Sequence, residues 1–121
     1  MFGPVGEAEA QLIISNKHAR FPPHLEGQPF FYPVTNFEYA SQIARGWNTK
    51  DAASGYVGFV ARFWIDTEFL SRYEVHQVGD RTHTAYWIPV GDLDEFNRHI
   101  VGPIEFVATY RGETRHARGH P

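Results

Sequence analysis

Apolar and polar residues alternate most regularly between residues 56 and 65. One set of alternate positions is entirely apolar, whereas Gly58 and Arg62 interrupt the other set. A period of two residues is typical of a β-strand with one buried face. Weaker patterns of the same kind predict further strands at residues 2–5, 69–78, 82–89 and 104–110. In the strand at 82–89, Ala85 and Trp87 fall on one face.

Two other segments have helical patterns. Residues 7–14 contain good helix formers and an acidic first turn, which favours the helix dipole. Ala8, Leu12 and Ile13 would form the buried stripe of this helix. Residues 93–100 predict a second, shorter helix late in the chain.

The most strongly specified junction lies between these segments. Residues 30–32 are aromatic and predict a short strand, which Pro33 ends because proline cannot donate a ladder hydrogen bond. Thr35 and Glu38 have the spacing of a capping box at the start of a helix, and Gly46 is suited to end that helix. Planar or anionic ligands can bind where aromatic rings lie beside the free amides of a helix N-terminus. Alternatively, the rings belong to the core.

The order of these elements predicts an α+β domain over residues 1–112. A mostly antiparallel sheet would be covered by two early helices and one short late helix. Residues 113–121 are polar and rich in Gly and His, and we expect a flexible C-terminal tail there. We expect the polar run at residues 48–55 to be a mobile loop.

The composition narrows the functional classes. A chain of 121 residues is sufficient for one domain, and its aromatic content of 16% favours a β-rich core with rings available for a ligand. The net charge of −3 and the pI near 6.1 argue against binding to nucleic acid. Without an apolar run long enough to span a bilayer and without a signal peptide, we expect a cytoplasmic protein that does not bind membranes.

Common catalytic motifs are absent from the sequence. The chain contains no Cys, no nucleophile elbow and no glycine-rich phosphate loop. His76 and His83 flank the turn predicted at residues 79–81 and could meet across a hairpin. No carboxylate accompanies them at a spacing typical of metal ligands, so we predict no metal site.

Several runs of residues match the pattern of a known family. They lie at residues 28–34, 36, 39–40, 42–45, 47–48, 69–75, 86–89 and 95–105. In these runs the chain resembles a family of short bacterial proteins that usually carry the name ADP-ribosylation/crystallin J1. The resemblance extends over most of residues 2–112.

This resemblance implies a compact ADP-ribosyltransferase-like fold that binds NAD. In such folds an aromatic strand-to-helix unit stacks on nicotinamide, and the corresponding positions here are Tyr32 and Tyr39, with Phe31 beside them. Arg45 and Arg62 are candidates for contacts with the pyrophosphate, because a guanidinium group donates parallel hydrogen bonds to phosphate oxygens.

The chain departs from the family pattern at two positions. Gly3 stands where the family has an arginine that anchors NAD, and Ala85 stands at the position of the catalytic acid. His83 and Glu105 are possible replacements for that acid.

Two functions therefore remain open from the sequence. One is an ADP-ribosyltransferase-like domain that binds NAD or a related nucleotide, with a nucleotide or protein as the acceptor if the domain is active. The other is a non-enzymatic module that binds a protein through an aromatic surface.

Overall fold

The structure is a computed structural model that describes residues 1–22, 30–77 and 84–112. Its helices and strands are β1 (Phe2–Val5), α1 (Glu7–Ser15), β2 (Phe30–Phe31), α2 (Phe37–Gly46), β3 (Val57–Ile65), α3 (Thr67–Leu70), β4 (Val75–Gln77), β5 (Thr84–Tyr86), β6 (Ile88–Pro89), α4 (Leu93–Arg98) and β7 (Ile100–Arg111). Short 3-10 turns lie at Asn48–Lys50, Ala52–Ser54 and Val90–Asp92. The predicted α+β class is confirmed. The expected tail lies outside the described residues.

Antiparallel strands form the middle layer of the molecule. β3 lies between β1 and β7, and β4 pairs with β5. Val34 forms antiparallel bridges to Phe2 and to Ala85, so the segment before α2 connects β1 with β5. β2 and β6 form a separate antiparallel pair. No described helix is both long and apolar enough to cross a lipid bilayer.

The main hydrophobic core lies on one face of β3 and contains residues of α1, α3 and α4. Its buried members are Val5, Ala10, Ile13, Phe21, Phe31, Ala61, Phe63, Phe69, Leu70, Ile88, Leu93, Phe96 and Ile104. The rings of Phe63 and Phe96 are fully buried and meet edge to face, with their centroids 5.9 Å apart. Such pairs stabilise a core beyond the simple burial of their area.

A second, smaller core lies between α2 and the opposite face of the strands. Its buried members are Val34, Ala40, Ala44, Val60 and Ala85. Val60 and its neighbour Ala61 belong to different cores, because successive side chains of a strand point to opposite faces. Both faces of β3 are therefore covered along part of its length.

The helix α2 approaches β3 through backbone atoms. A Cβ atom on Gly58 would lie 2.5 Å from the carbonyl oxygen of Ala44, which is closer than real Cβ atoms approach an oxygen. Glycine at position 58 is thus required by this contact. The interruption that Gly58 makes in the alternating pattern marks the place where the helix contacts the strand.

The strand predicted at residues 69–78 is wrong in its first half. The residues Phe69 and Leu70 belong to α3 and are both buried in the main core. An extended strand would place these neighbours on opposite faces, whereas a helical turn allows both to point inward. The side chain of Asp66 caps this turn by accepting a hydrogen bond from the N–H of Glu68.

Two other predicted strands have different bounds. The strand expected at residues 82–89 divides at Trp87 into β5 and β6, which pair with β4 and β2 respectively. β7 begins at Ile100, before the predicted start at residue 104. Gly102, with a φ of 79°, lies where the pairing with β3 shifts register, so the strand continues through a bulge.

The extent predicted for the first helix is confirmed, but the helix buries a different face from the one predicted. Ala10 and Ile13 are buried, whereas Ala8 and Leu12 are exposed. The predicted stripe was therefore wrong at two of its three positions. Helical periodicity identifies the helix, but the contacts with β3 and with the 3-10 turn at Ala52–Ser54 select the face that is buried.

The polar segment after α2 is partly buried rather than wholly exposed. Asn48, Thr49 and Ser54 are buried. The amide of Asn48 donates a hydrogen bond to the Ser54 hydroxyl, which in turn donates to the carboxylate of Asp51. This network gives a defined structure to a segment whose composition predicts a mobile loop.

Tyr73 connects the segment after α3 with the turn before α4. Its hydroxyl donates a hydrogen bond of 2.8 Å to the carboxylate of Asp92. Burial raises the pKa of Tyr73 to about 12, and the hydrogen bond to Asp92 and the charges of Asp92 and Glu95 act in the same direction. The guanidinium of Arg72, which pairs with Glu95 at 2.9 Å, opposes this shift.

The contact between α2 and β3 leads to a first prediction. We expect Gly58→Ala to lower the free energy of unfolding by about 1–3 kcal/mol, because the added methyl group forces the backbone of α2 away from β3. Gly46→Ala is the matched control. Among the described residues, no atom outside the helix's own backbone and the neighbouring residues lies within 4 Å of the added Cβ, so that variant should be equally stable or more stable. Urea denaturation measures both, and equal effects would contradict the prediction.

The hydrogen bond of Tyr73 leads to a second prediction. We expect Tyr73→Phe to lower the free energy of unfolding by about 1 kcal/mol near neutral pH. The folded protein holds the proton of the Tyr73 hydroxyl more tightly than the unfolded chain does, because the pKa of this group is raised to about 12. The contribution of the protonated hydroxyl to stability is therefore complete below pH 10 and is lost as the pH rises towards about 12. In urea titrations, the difference between wild type and variant should therefore narrow over that range. A difference that stays constant would exclude this role of the hydroxyl.

Candidate ligand-binding groove

A groove with a volume of about 360 Å³ opens between α2 and the β5 side of the sheet. We call it the aromatic groove. Its lining residues are Tyr32, Val34, Tyr39, Ile43, Ala85 and Trp87. The aromatic members come from three different segments of the chain. The groove thus depends on the tertiary fold and not on one local motif.

Strand alternation places Tyr32 in the groove and Phe31 outside it. Phe31 pairs with Ile88 in the small β2–β6 ladder and is only 6% exposed. Its ring packs against Phe21 and Phe96 in the main core. Tyr32, the next residue, points the other way and is 48% exposed. The ring of Phe31 is therefore a core side chain and does not line the groove.

Val34 and Ala85 form the buried floor of the groove. The N–H and C=O of Val34 bond to the backbone of Phe2 at 2.8 and 3.0 Å. On the other side, the N–H of Thr35 donates to the Thr84 carbonyl, and the hydroxyls of these two threonines are hydrogen bonded. Paired backbone on both sides fixes the position of the floor.

The helix α2 contributes Tyr39 and Ile43 to one wall. These residues are one turn apart, so their side chains lie on the same face of the helix. The helix begins one residue later than the predicted capping box implies, because the side chain of Asn36 accepts from the N–H of Tyr39. Gly46 is the last helical residue, as predicted, although its φ is not in the left-handed region that often ends a helix.

Trp87 forms the wall opposite α2, together with Tyr32. The two rings are perpendicular, and their centroids are 5.9 Å apart. The imidazole of His76 stacks on Trp87 at a centroid distance of 4.0 Å and an interplanar angle of 10°. Sequence reasoning assigned neither Trp87 nor His76 to this groove. The only signal was the alternation that placed Trp87 on the same face as Ala85.

The predicted polar contacts lie elsewhere. Arg62 and Glu105 form an exposed ion pair with each other, with Nη2 and Oε1 separated by 2.6 Å. Arg45 lies over the ring of Tyr110, 5.6 Å from its centroid. None of these three residues lines the aromatic groove. The structure brings together the predicted residues Tyr32, Tyr39 and Ala85, but not the predicted phosphate ligands or Glu105. His83 lies outside the described residues.

Gly3, the other position of departure from the family pattern, faces the main core. A Cβ atom on Gly3 would contact the ring of Phe21 at 3.5 Å. A side chain here would point away from the face that carries Val34 and Ala85, because Phe21 belongs to the other core. A side chain at position 3 would therefore not reach a ligand in the groove.

The lining of the groove determines what it can bind. None of its six residues carries a carboxylate, ammonium or guanidinium group, and the phenol hydroxyls are its ionisable groups. Elsewhere in the part of the chain that the structure describes, no three His, Asp or Glu side chains meet as metal ligands. Aromatic walls and an apolar floor favour a flat ring over a strongly hydrated group.

Comparison with known proteins gives no match for this chain, whether with family models, with curated proteins or with solved structures.

Proposed function

We propose that the aromatic groove binds the planar ring of NAD or of a related nucleotide, as an ADP-ribosyltransferase-like domain would. One observation supports this proposal most directly. Tyr32, Tyr39 and Trp87, from three separate segments, line a single groove with an apolar floor. Two of these residues are the ones that the family resemblance assigns to stacking on nicotinamide.

The dimensions of the groove are suitable for such a ligand. Its volume of about 360 Å³ lies in the range of small-molecule sites, roughly 300–1,000 Å³. Stacking of a base on an aromatic side chain contributes about 1–3 kcal/mol and tolerates different rings. Tyr32 is 48% exposed, so the groove is open to solvent on this side.

ADP-ribosyl transfer would require more than a stacked ring. A cationic ribosyl transition state is stabilised by a nearby negative charge. Position 85, where the family has an acid, lies on the floor of the groove and is occupied by alanine. The proposal for this chain is therefore ligand binding, and the transfer step is a separate question that substitution at position 85 addresses.

The binding proposal predicts a specific effect of Tyr32. We expect wild type to bind NAD saturably in a calorimetric titration, and Tyr32→Ala to weaken binding at least roughly tenfold. Trp64→Ala is the matched control, because Trp64 is 65% exposed and does not line the groove. Equal losses in both variants, or unchanged affinity in Tyr32→Ala, would refute the assignment of this groove.

The position of Ala85 leads to a further prediction. We expect Ala85→Glu to place a carboxylate against the ribose and to produce slow consumption of NAD that wild type lacks. Ala85→Gln, which has the same shape without the charge, should remain inactive. Release of nicotinamide measures the reaction, and circular dichroism shows whether each variant is folded. A folded Ala85→Glu protein without activity would refute the idea that an acid at position 85 makes this groove a transferase site.

A second candidate function is binding of a protein partner. Large aromatic side chains are exposed around α2, with Phe37 and Trp47 at its ends and Tyr32 and Trp87 beside the groove. Exposed Tyr and Trp residues often dominate protein–protein interfaces. A lack of saturable NAD binding in wild type would favour this alternative over the nucleotide site.

A further inference from the structure

The wall formed by Trp87 has a histidine behind it. His76 lies opposite Ala85 in the β4–β5 ladder, so the same register that supports the floor brings its imidazole to Trp87. The two rings are nearly parallel, at 4.0 Å and 10°. The side chain of His76 is 33% exposed, so its imidazole is in contact with solvent.

The charge of this imidazole alters the electrostatics of the indole beside it. The face of an aromatic ring carries partial negative charge and attracts cations. A neutral imidazole leaves that attraction available to a ligand, whereas an imidazolium both satisfies it and repels a second cation nearby. Histidine is the side chain that ordinarily changes charge between about pH 5 and pH 8.

We propose that His76 is a specificity-determining residue that sets which ring charge the aromatic groove accepts. With neutral His76 the groove accepts a cationic ring such as an N-alkylated pyridinium, and with protonated His76 it discriminates against that cation but not against a neutral ring. The inference rests on the proposed function, because it concerns a planar ligand in the same groove.

The other ionisable groups near His76 are limited among the described residues. Glu74, on the same segment, has a carboxylate oxygen 3.8 Å from Nε2 of His76, but its side chain is 88% exposed and its effect is screened by water. On the paired strand β5, Tyr86 lies opposite Val75 and contributes to the main core. Beyond Trp87, the groove contributes the phenol of Tyr32.

The expected effect is modest because the site is open to solvent. Two cations on opposite sides of one indole would be separated by roughly 7–8 Å, where water-like screening leaves an effect on affinity of about two- to fivefold. A neutral ring should show no comparable change. The comparison of two ligands that differ in charge therefore isolates the effect from general changes of the protein with pH.

The test compares 1-methylnicotinamide, a cation, with nicotinamide, its neutral counterpart, at about pH 8 and about pH 5.5. We expect wild type to lose about two- to fivefold in affinity for the cation at the lower pH and to retain its affinity for nicotinamide. His76→Phe keeps a stacking ring but cannot be protonated, so its affinity for the cation should not depend on pH. Glu74→Gln should still show the pH dependence.

Tryptophan fluorescence provides a second readout that needs no ligand. A protonated imidazole quenches an indole stacked on it, so acidification should dim the fluorescence of wild type. This step should disappear in both His76→Phe and Trp87→Phe. A merely structural role of His76 would not produce it.

The possible outcomes separate the two proposals. If NAD binds but His76→Phe retains the wild-type pH dependence for the cation, the role of His76 is refuted and the nucleotide groove stands. If 1-methylnicotinamide binds with the expected dependence on pH and His76 but NAD does not, the role of His76 stands and the nucleotide proposal is refuted. If none of the three ligands binds, both proposals are refuted.

Discussion

The structure depends on one residue that is paired on both sides. Val34 bonds through its N–H and C=O to Phe2 and bridges to Ala85, so a single extended residue joins β1 to β5. Its side chain is 1% exposed and belongs both to the small core beneath α2 and to the floor of the groove. Both the position of β4–β5 and the start of α2 follow from this link. The candidate site therefore lies where the two parts of the sheet are connected.

Local patterns in the sequence were sufficient for the parts of this architecture that short-range physics determines. Strict alternation identified β3, and helix-forming residues identified α1. Prediction failed where contacts with residues distant in sequence determine the local structure. Phe69 and Leu70 resemble strand residues, but their joint burial in the core is achieved by a helical turn. Likewise, Thr35 and Asn36 are both suitable caps, and the backbone pairing of Thr35 with Thr84 leaves the capping position to Asn36.

The same limit applies to the candidate site. Aromatic residues next to a helix start suggested a ligand site, and Tyr32 and Tyr39 do line one groove. The stacking of His76 on Trp87 and the pairing of Arg62 with Glu105 depend on which residues face each other across strands. Cross-strand register is set by distant segments, so no local spacing encodes it.

The backbone contact between Gly58 and Ala44 gives the groove two unlike walls. Where a helix rests on a strand without side chains between them, it cannot shift inward, and the wall that carries Tyr39 is rigid in that direction. The opposite wall consists of the partly exposed rings of Tyr32 and Trp87, which contact each other and, at Trp87, the imidazole of His76. A planar ligand of the proposed kind would therefore meet one wall fixed by backbone contact and one wall held by contacts between side-chain rings.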